Sequence, residues 1–149
     1  MQELHTERDF FDWLNRISAL YGETMATWGQ QVHDAVAGRI QPHQVLEATD
    51  AAVNRLVEAL MSIGAWHDRT DDTPGGGAEV LHALDQLLGA SAELLREARS
   101  HMATEGLRGL AAVAPRIAEL RTLEADVEQA TEQVRNKLES RFGNPGEPE

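Results

Sequence analysis

The chain has 149 residues, a net charge of −12 and no cysteine. Its length fits one domain with a single core, and its 42% hydrophobic and 26% charged residues are typical of a globular protein rather than a disordered one. The lack of cysteine excludes disulfides and thiolate metal sites, and the acidic charge argues against nucleic acid as a partner.

The N-terminal sequence, MQELHTERDF, has no basic region followed by an apolar run, so it does not predict a secretory signal. No window reaches the ~18 uncharged apolar residues that a membrane-spanning helix requires. We therefore expect a cytoplasmic protein without a transmembrane segment.

The first predicted helix spans residues 6–38. It begins at Thr6 with T-E-R-D, which places a capping oxygen and an acid at the spacing of a capping box, and it ends at Gly38, which suits a left-handed cap. One face of this helix is apolar at steps of three and four: Phe10, Leu14, Ile17, Tyr21, Met25, Trp28 and Val32. The second predicted helix, 42–67, has Pro42 in its first turn, where a missing N–H costs nothing.

A glycine-rich segment, DRTDDTPGGG at 68–77, predicts a flexible loop after the second helix. The third helix is predicted at 78–105, and a fourth at 107–142 with a kink or break near Pro115. The tail, 144–149, is expected to be disordered. The apolar stripe of the third helix is Leu81, Leu84, Leu88, Ser91, Leu95, Ala98 and Met102, and that of the fourth is Ile117, Leu120, Leu123, Val127, Ala130, Val134, Leu138 and Phe142.

These elements predict an all-α protein. Four amphipathic helices with short connections most simply form an antiparallel four-helix bundle, here a single domain of residues 1–143. The alternative is a pair of long helical hairpins that completes its bundle by dimerisation.

The third helix contains an E-x-x-H sequence, Glu79 to His82, of the kind that supplies metal ligands in some helical bundles. A helix turns about 100° per residue, which directs His82 roughly 170° and Glu79 roughly 130° away from the apolar stripe. Bundle metal sites need side chains that project inward, and a second E-x-x-H does not occur in the sequence. We therefore predict no metal and no cofactor.

The sequence also lacks a recognisable catalytic arrangement. Its serines are isolated, none of them lies in a G-x-S-x-G turn, and its many carboxylates fall on the polar faces of the helices. These features predict a protein that is not an enzyme.

Large apolar residues outside the stripes suggest an interface. On the first helix, Phe11 lies on one flank and Trp13 and Leu20 on the other, which widens the apolar arc to roughly 180°. The second helix has an apolar stripe of its own, which consists of Val45, Thr49, Val53, Leu56, Leu60 and Ile63. Met61 and Trp66 lie off the centre of that stripe in the same way. The five residues either form a surface for a partner, or they pack against two neighbouring helices and a loop.

Three functions are compatible with this sequence. The first is an interaction or adaptor protein, which uses those five residues to form a homodimer or to bind another protein. The second follows from a resemblance in composition to phasins, which coat hydrophobic storage granules, and implies that the first helix detaches and binds an apolar surface. The third is a ligand-sensing bundle with a pocket between helices, suggested by Ser91 and Thr49 on otherwise apolar stripes.

Overall fold

The computed structural model describes residues 2–68 and 76–142, with side chains from 8–68 and 76–137. Within these ranges it contains only helices, which confirms the predicted all-α bundle. The elements in chain order are α1 (Gln2–Val36), α2 (Pro42–His67), α3 (Gly77–Glu105), a 3₁₀ helix (Gly106–Ala112) and α4 (Ala114–Phe142). Most of the predicted loop at 68–77 and the whole of the predicted tail lie outside the described residues.

The start of α1 differs from the sequence prediction. The helix begins at Gln2 rather than at Thr6, so T-E-R-D lies within the helix and Thr6 does not cap it. The three residues that follow Met1 are Gln, Glu and Leu, all of which favour helix, and they allow the helix to extend towards the N-terminus.

A compact turn joins α1 to α2. Gly38 has a φ of +80°, the left-handed conformation expected of it, and the N–H of Arg39 donates to the carbonyl of Asp34 at 2.8 Å. At the start of α2, the N–H of Gln41 donates to Oε1 of Gln44 at 2.8 Å. These bonds partner one backbone carbonyl at the end of α1 and one backbone N–H at the start of α2.

Helix α3 is at the centre of the molecule, because it packs against α2 on one side and against α4 and the 3₁₀ helix on the other. Its predicted apolar stripe is buried throughout. A second row on the adjacent flank, consisting of Val80, Leu87 and Leu94, is buried as well. A helix that contacts several neighbouring elements must bury a wide arc of its surface, and α3 does so.

Helix α1 is less evenly buried than α3. Its main packing partner is α2. In the first half of its stripe, Phe10, Leu14 and Ile17 are buried, whereas the residues of the second half, from Tyr21 onward, are only partly buried. The second half of the α1 stripe is therefore incompletely covered.

The contacts between α1 and α2 run in opposite order along the two helices. Trp13, near the start of α1, donates from Nε1 to Oγ of Ser62, near the end of α2. Trp28, in the later part of α1, donates from Nε1 to Oγ1 of Thr49, in the early part of α2, at 2.8 Å. This is the order of two helices that run in opposite directions, and the complete up-down-up-down arrangement stays a prediction.

The 3₁₀ helix forms the break that the sequence predicts near Pro115. Gly106, with a φ of +70°, ends α3, and the buried Gly109 packs against the backbone of α3 at His101. Ile117, which the sequence predicts on the α4 stripe, is 42% exposed, whereas Leu120 of the same stripe and Val113 just before α4 are buried.

Candidate functional site

The two tryptophans predicted to anchor a partner lie in the core instead. Trp13 is only 6% exposed and Trp66 only 7%, and both pack against Phe10. The ring centroids of Phe10 and Trp66 are 5.1 Å apart with an edge-to-face geometry, and those of the two tryptophans are 5.8 Å apart. The flank of α1 that carries Trp13 meets α2, so these two residues join the helices rather than offering an exposed surface.

The other three residues of the predicted interface do not lie together as an exposed patch. Phe11 and Leu20 are partly buried against the core, and Arg135 of α4 lies over the Phe11 ring at 5.7 Å from its centroid. Met61 is 72% exposed on α2. A single exposed methionine is an ordinary surface feature.

The E-x-x-H pair of α3 faces away from the core, as helix geometry predicted. Both Glu79 and His82 are exposed. Among the side chains of residues 8–68 and 76–137, no three histidine or acidic groups lie close enough together to hold a metal ion.

A cleft of about 440 Å³ lies between α1, α3 and α4. Its size falls within the range of about 300–1,000 Å³ that is usual for small-molecule sites. The floor is apolar and is formed by Leu84 and Leu87 of α3. The remaining lining residues come from α1 and α4, namely Ser18, Tyr21, Glu124, Val127, Glu128, Thr131, Glu132 and Arg135.

Tyr21 and Glu124 connect the two walls of the cleft. The Tyr21 hydroxyl, on α1, donates a hydrogen bond of 2.7 Å to Oε1 of Glu124 on α4. Burial of the phenol, together with this bond, raises the pKa of Tyr21 well above its ordinary value. The nearby hydroxyl of Ser91 acts weakly in the opposite direction. Tyr21 therefore keeps its proton and is a hydrogen-bond donor in the cleft.

Two buried hydroxyls at the cleft have no hydrogen-bond partner among the described residues. Thr131 Oγ1 belongs to the cleft lining, and its residue is only 9% exposed. Ser91 is fully buried next to Tyr21, and its Oγ makes no hydrogen bond of acceptable geometry. A buried hydroxyl without a partner costs about 1–3 kcal/mol, so such groups are uncommon unless they have another role. Thr131 lines the cleft, so a rotation of its side chain about Cα–Cβ would turn its hydroxyl towards a polar group there, whereas Ser91 is not among the lining residues.

Thr49 provides the contrasting case. It is fully buried, like Ser91, but its hydroxyl donates to the Val45 carbonyl at 2.7 Å and accepts the hydrogen bond from Trp28. The sequence suggested a pocket from two hydroxyls on the apolar stripes, those of Thr49 and Ser91. The Thr49 hydroxyl has hydrogen-bond partners within the protein, and the Ser91 hydroxyl makes no hydrogen bond of acceptable geometry.

Replacing Thr131 or Thr49 with valine is expected to change the free energy of unfolding in opposite directions. Thr131→Val removes a hydroxyl without a partner and should raise the free energy of unfolding by about 1 kcal/mol. Thr49→Val leaves Trp28 Nε1 unpaired and should lower it by about 1–2 kcal/mol. Chemical denaturation of both variants measures the two changes. If both variants are destabilised equally, the Thr131 hydroxyl has a partner in the folded protein.

Acidic residues form one rim of the cleft. Glu124, Glu128 and Glu132 occupy successive turns of α4 and are exposed. Arg135 is the one basic residue in the lining. The rim therefore carries three carboxylates and one guanidinium, which gives it an excess of negative charge.

Sequence reasoning identified part of this site. It singled out Ser91, but it did not select Thr131, which lies next to the apolar stripe of α4, or the glutamates at four-residue spacing. The four-residue spacing does indicate that the glutamates share one face of α4. The sequence does not indicate where that face lies relative to Tyr21.

No family model, curated protein or solved structure shows significant similarity to this chain. Among the described residues, no helix combines the length and apolar character needed to cross a membrane.

Proposed function

We propose that this protein is a non-enzymatic helical domain that binds a small molecule in the cleft between α1, α3 and α4. The observation that carries this proposal is the cleft of about 440 Å³ itself, which has leucines at its floor and the unpartnered Thr131 side chain in its lining. An apolar floor with a few polar groups directed towards it is the usual composition of a small-molecule site.

A hydrogen bond across the cleft further supports the proposal of binding. The phenol of Tyr21 keeps its proton and donates a hydrogen bond to Glu124, so the bond joins the α1 and α4 walls of the cleft. Tyr21 is suited to orienting a carboxylate and to closing one side of the cleft.

The adaptor hypothesis has less support than ligand binding. Its aromatic anchors, Trp13 and Trp66, are buried within the chain, which leaves Met61 as its one widely exposed residue. Binding of the protein to hydrophobic granules would require α1 to detach, and Phe10 and Trp13 hold it to Trp66 of α2. The cleft requires no such rearrangement.

A neutral fluorescent probe, N-phenyl-1-naphthylamine, tests the proposal without assuming the charge of the ligand. We expect a saturable rise in fluorescence with one probe per chain. Ser18→Trp places an indole at the lip of the cleft and should weaken probe binding at least about tenfold, which corresponds to ~1.4 kcal/mol.

The matched control is Ser100→Trp, because Ser100 is an exposed serine of α3 outside the cleft lining. This variant should bind the probe as the unaltered protein does. Absence of saturable binding, or an equal loss in both variants, would show that the cleft is not a binding site.

A further inference from the structure

We infer that the ligand of this cleft is an amphipathic organic cation, that is, an ammonium group attached to an apolar body. This inference rests on the proposed function and specifies the chemical class of the ligand. It follows from the charge of the rim, the apolar character of the floor and the unpartnered Thr131 side chain in the lining.

The rim has two carboxylates available to a cation. Glu124 accepts the hydrogen bond from Tyr21. Among the described residues, Glu128 and Glu132 have neither an ion-pair partner nor a side-chain hydrogen bond. The three glutamates follow one another at four-residue steps, so they extend about 12 Å along α4 at ~1.5 Å per residue. A cation at the cleft mouth therefore has carboxylates on successive helical turns.

The single base in the lining does not neutralise this rim. Arg135 lies over the Phe11 ring, with its guanidinium carbon 5.7 Å from the ring centroid, in a cation–π arrangement between α4 and α1. It lies beyond the three glutamates in the sequence of α4, towards the helix C-terminus. An anionic ligand would have to approach Glu128 and Glu132, and like charges repel.

The interior of the cleft selects for an apolar body. Leu84, Leu87 and Val127 form its buried apolar surface. Thr131 also belongs to the lining, is nine-tenths buried and has a hydroxyl with no partner among the described residues. The oxygen is covered by protein atoms in this structure. A rotation of the side chain about Cα–Cβ would let it accept a hydrogen bond from an ammonium N–H whose alkyl portion contacts the leucines.

The contribution of charge to binding can be measured with three ligands that share an eight-carbon chain and differ in the charge of the head group. These ligands are octylammonium, octanol and octanoate. Each is titrated against the protein loaded with N-phenyl-1-naphthylamine, and displacement of the probe is measured. We expect octylammonium to bind about fivefold more tightly than octanol, the effect of two exposed carboxylates, and octanoate to bind most weakly.

The double variant Glu128→Gln and Glu132→Gln should abolish the preference for octylammonium over octanol while retaining the binding of octanol. Its matched control is Glu47→Gln with Glu58→Gln, because these two exposed acids of α2 lie outside the cleft lining and change the net charge by the same amount. The control should keep the preference for octylammonium.

The outcomes distinguish the two proposals. If the probe binds but octanol or octanoate displaces it as strongly as octylammonium does, the cleft is a binding site but its ligand is not a cation. A preference that both double variants lose equally reflects the overall charge of the protein and also overturns the cationic class. If the probe does not bind, both proposals fail.

Discussion

Replacing Trp66 with alanine is expected to lower the free energy of unfolding by about 3–5 kcal/mol, the usual loss for a buried tryptophan. The indole is 7% exposed and contacts the rings of Phe10 and Trp13, so its removal leaves a cavity where α1 meets α2. Because a small domain has only about 5–15 kcal/mol of stability, this loss should be obvious in a denaturant titration followed by circular dichroism.

Met61→Ala is the control for this prediction, since Met61 also lies on α2 but is 72% exposed. We expect its unfolding free energy to change by no more than about 0.5 kcal/mol. Equal stability of the two variants would mean that Trp66 is not a core residue. Its role as a partner anchor, expected from the sequence, would then regain its basis.

Gly109→Ala is expected to destabilise the protein by about 3 kcal/mol. A Cβ atom at this position would lie 2.5 Å from the backbone carbonyl carbon and oxygen of His101. Because these are backbone atoms, they cannot move aside as a flexible side chain can. The 3₁₀ helix would have to shift away from α3 and would lose part of its packing against that helix. Thermal unfolding measures the change.

Gly29→Ala provides the same chemical change at a site with open space. Gly29 is an exposed residue within α1, and an added Cβ there would have no heavy atom within 4 Å. Alanine favours helix over glycine by about 0.5–1 kcal/mol, so this variant should be more stable than the unaltered protein. The change in stability should therefore have opposite signs for the two alanine substitutions. Stabilisation by Gly109→Ala would contradict the close packing of the 3₁₀ helix on α3.

The parts of the fold that the sequence predicted well depend on local signals. Helix α2 occupies Pro42–His67 and α3 occupies Gly77–Glu105, close to the predicted ranges, because proline, glycine and a regular apolar period define them. The error at Thr6 is also local: a capping sequence inside a favourable helical segment does not have to start the helix.

The parts that sequence reasoning missed depend on contacts between helices. Helix geometry gives the direction of Trp13 relative to its own helix, but it does not say that α2 lies on that side and covers the indole. The same limit applies to Thr131, since a hydroxyl is unpartnered only in relation to its tertiary surroundings. The cleft exists because α1 packs mainly on α2, while α4 packs mainly on α3.

The most direct test of the central claim, that the cleft binds a small molecule, is a titration of the ¹⁵N-labelled protein with N-phenyl-1-naphthylamine followed by amide chemical shifts. We expect the largest changes at residues of the three helices that line the cleft, such as Ser18, Leu87 and Thr131. Changes concentrated on α2 around Met61, or no changes at all, would contradict it.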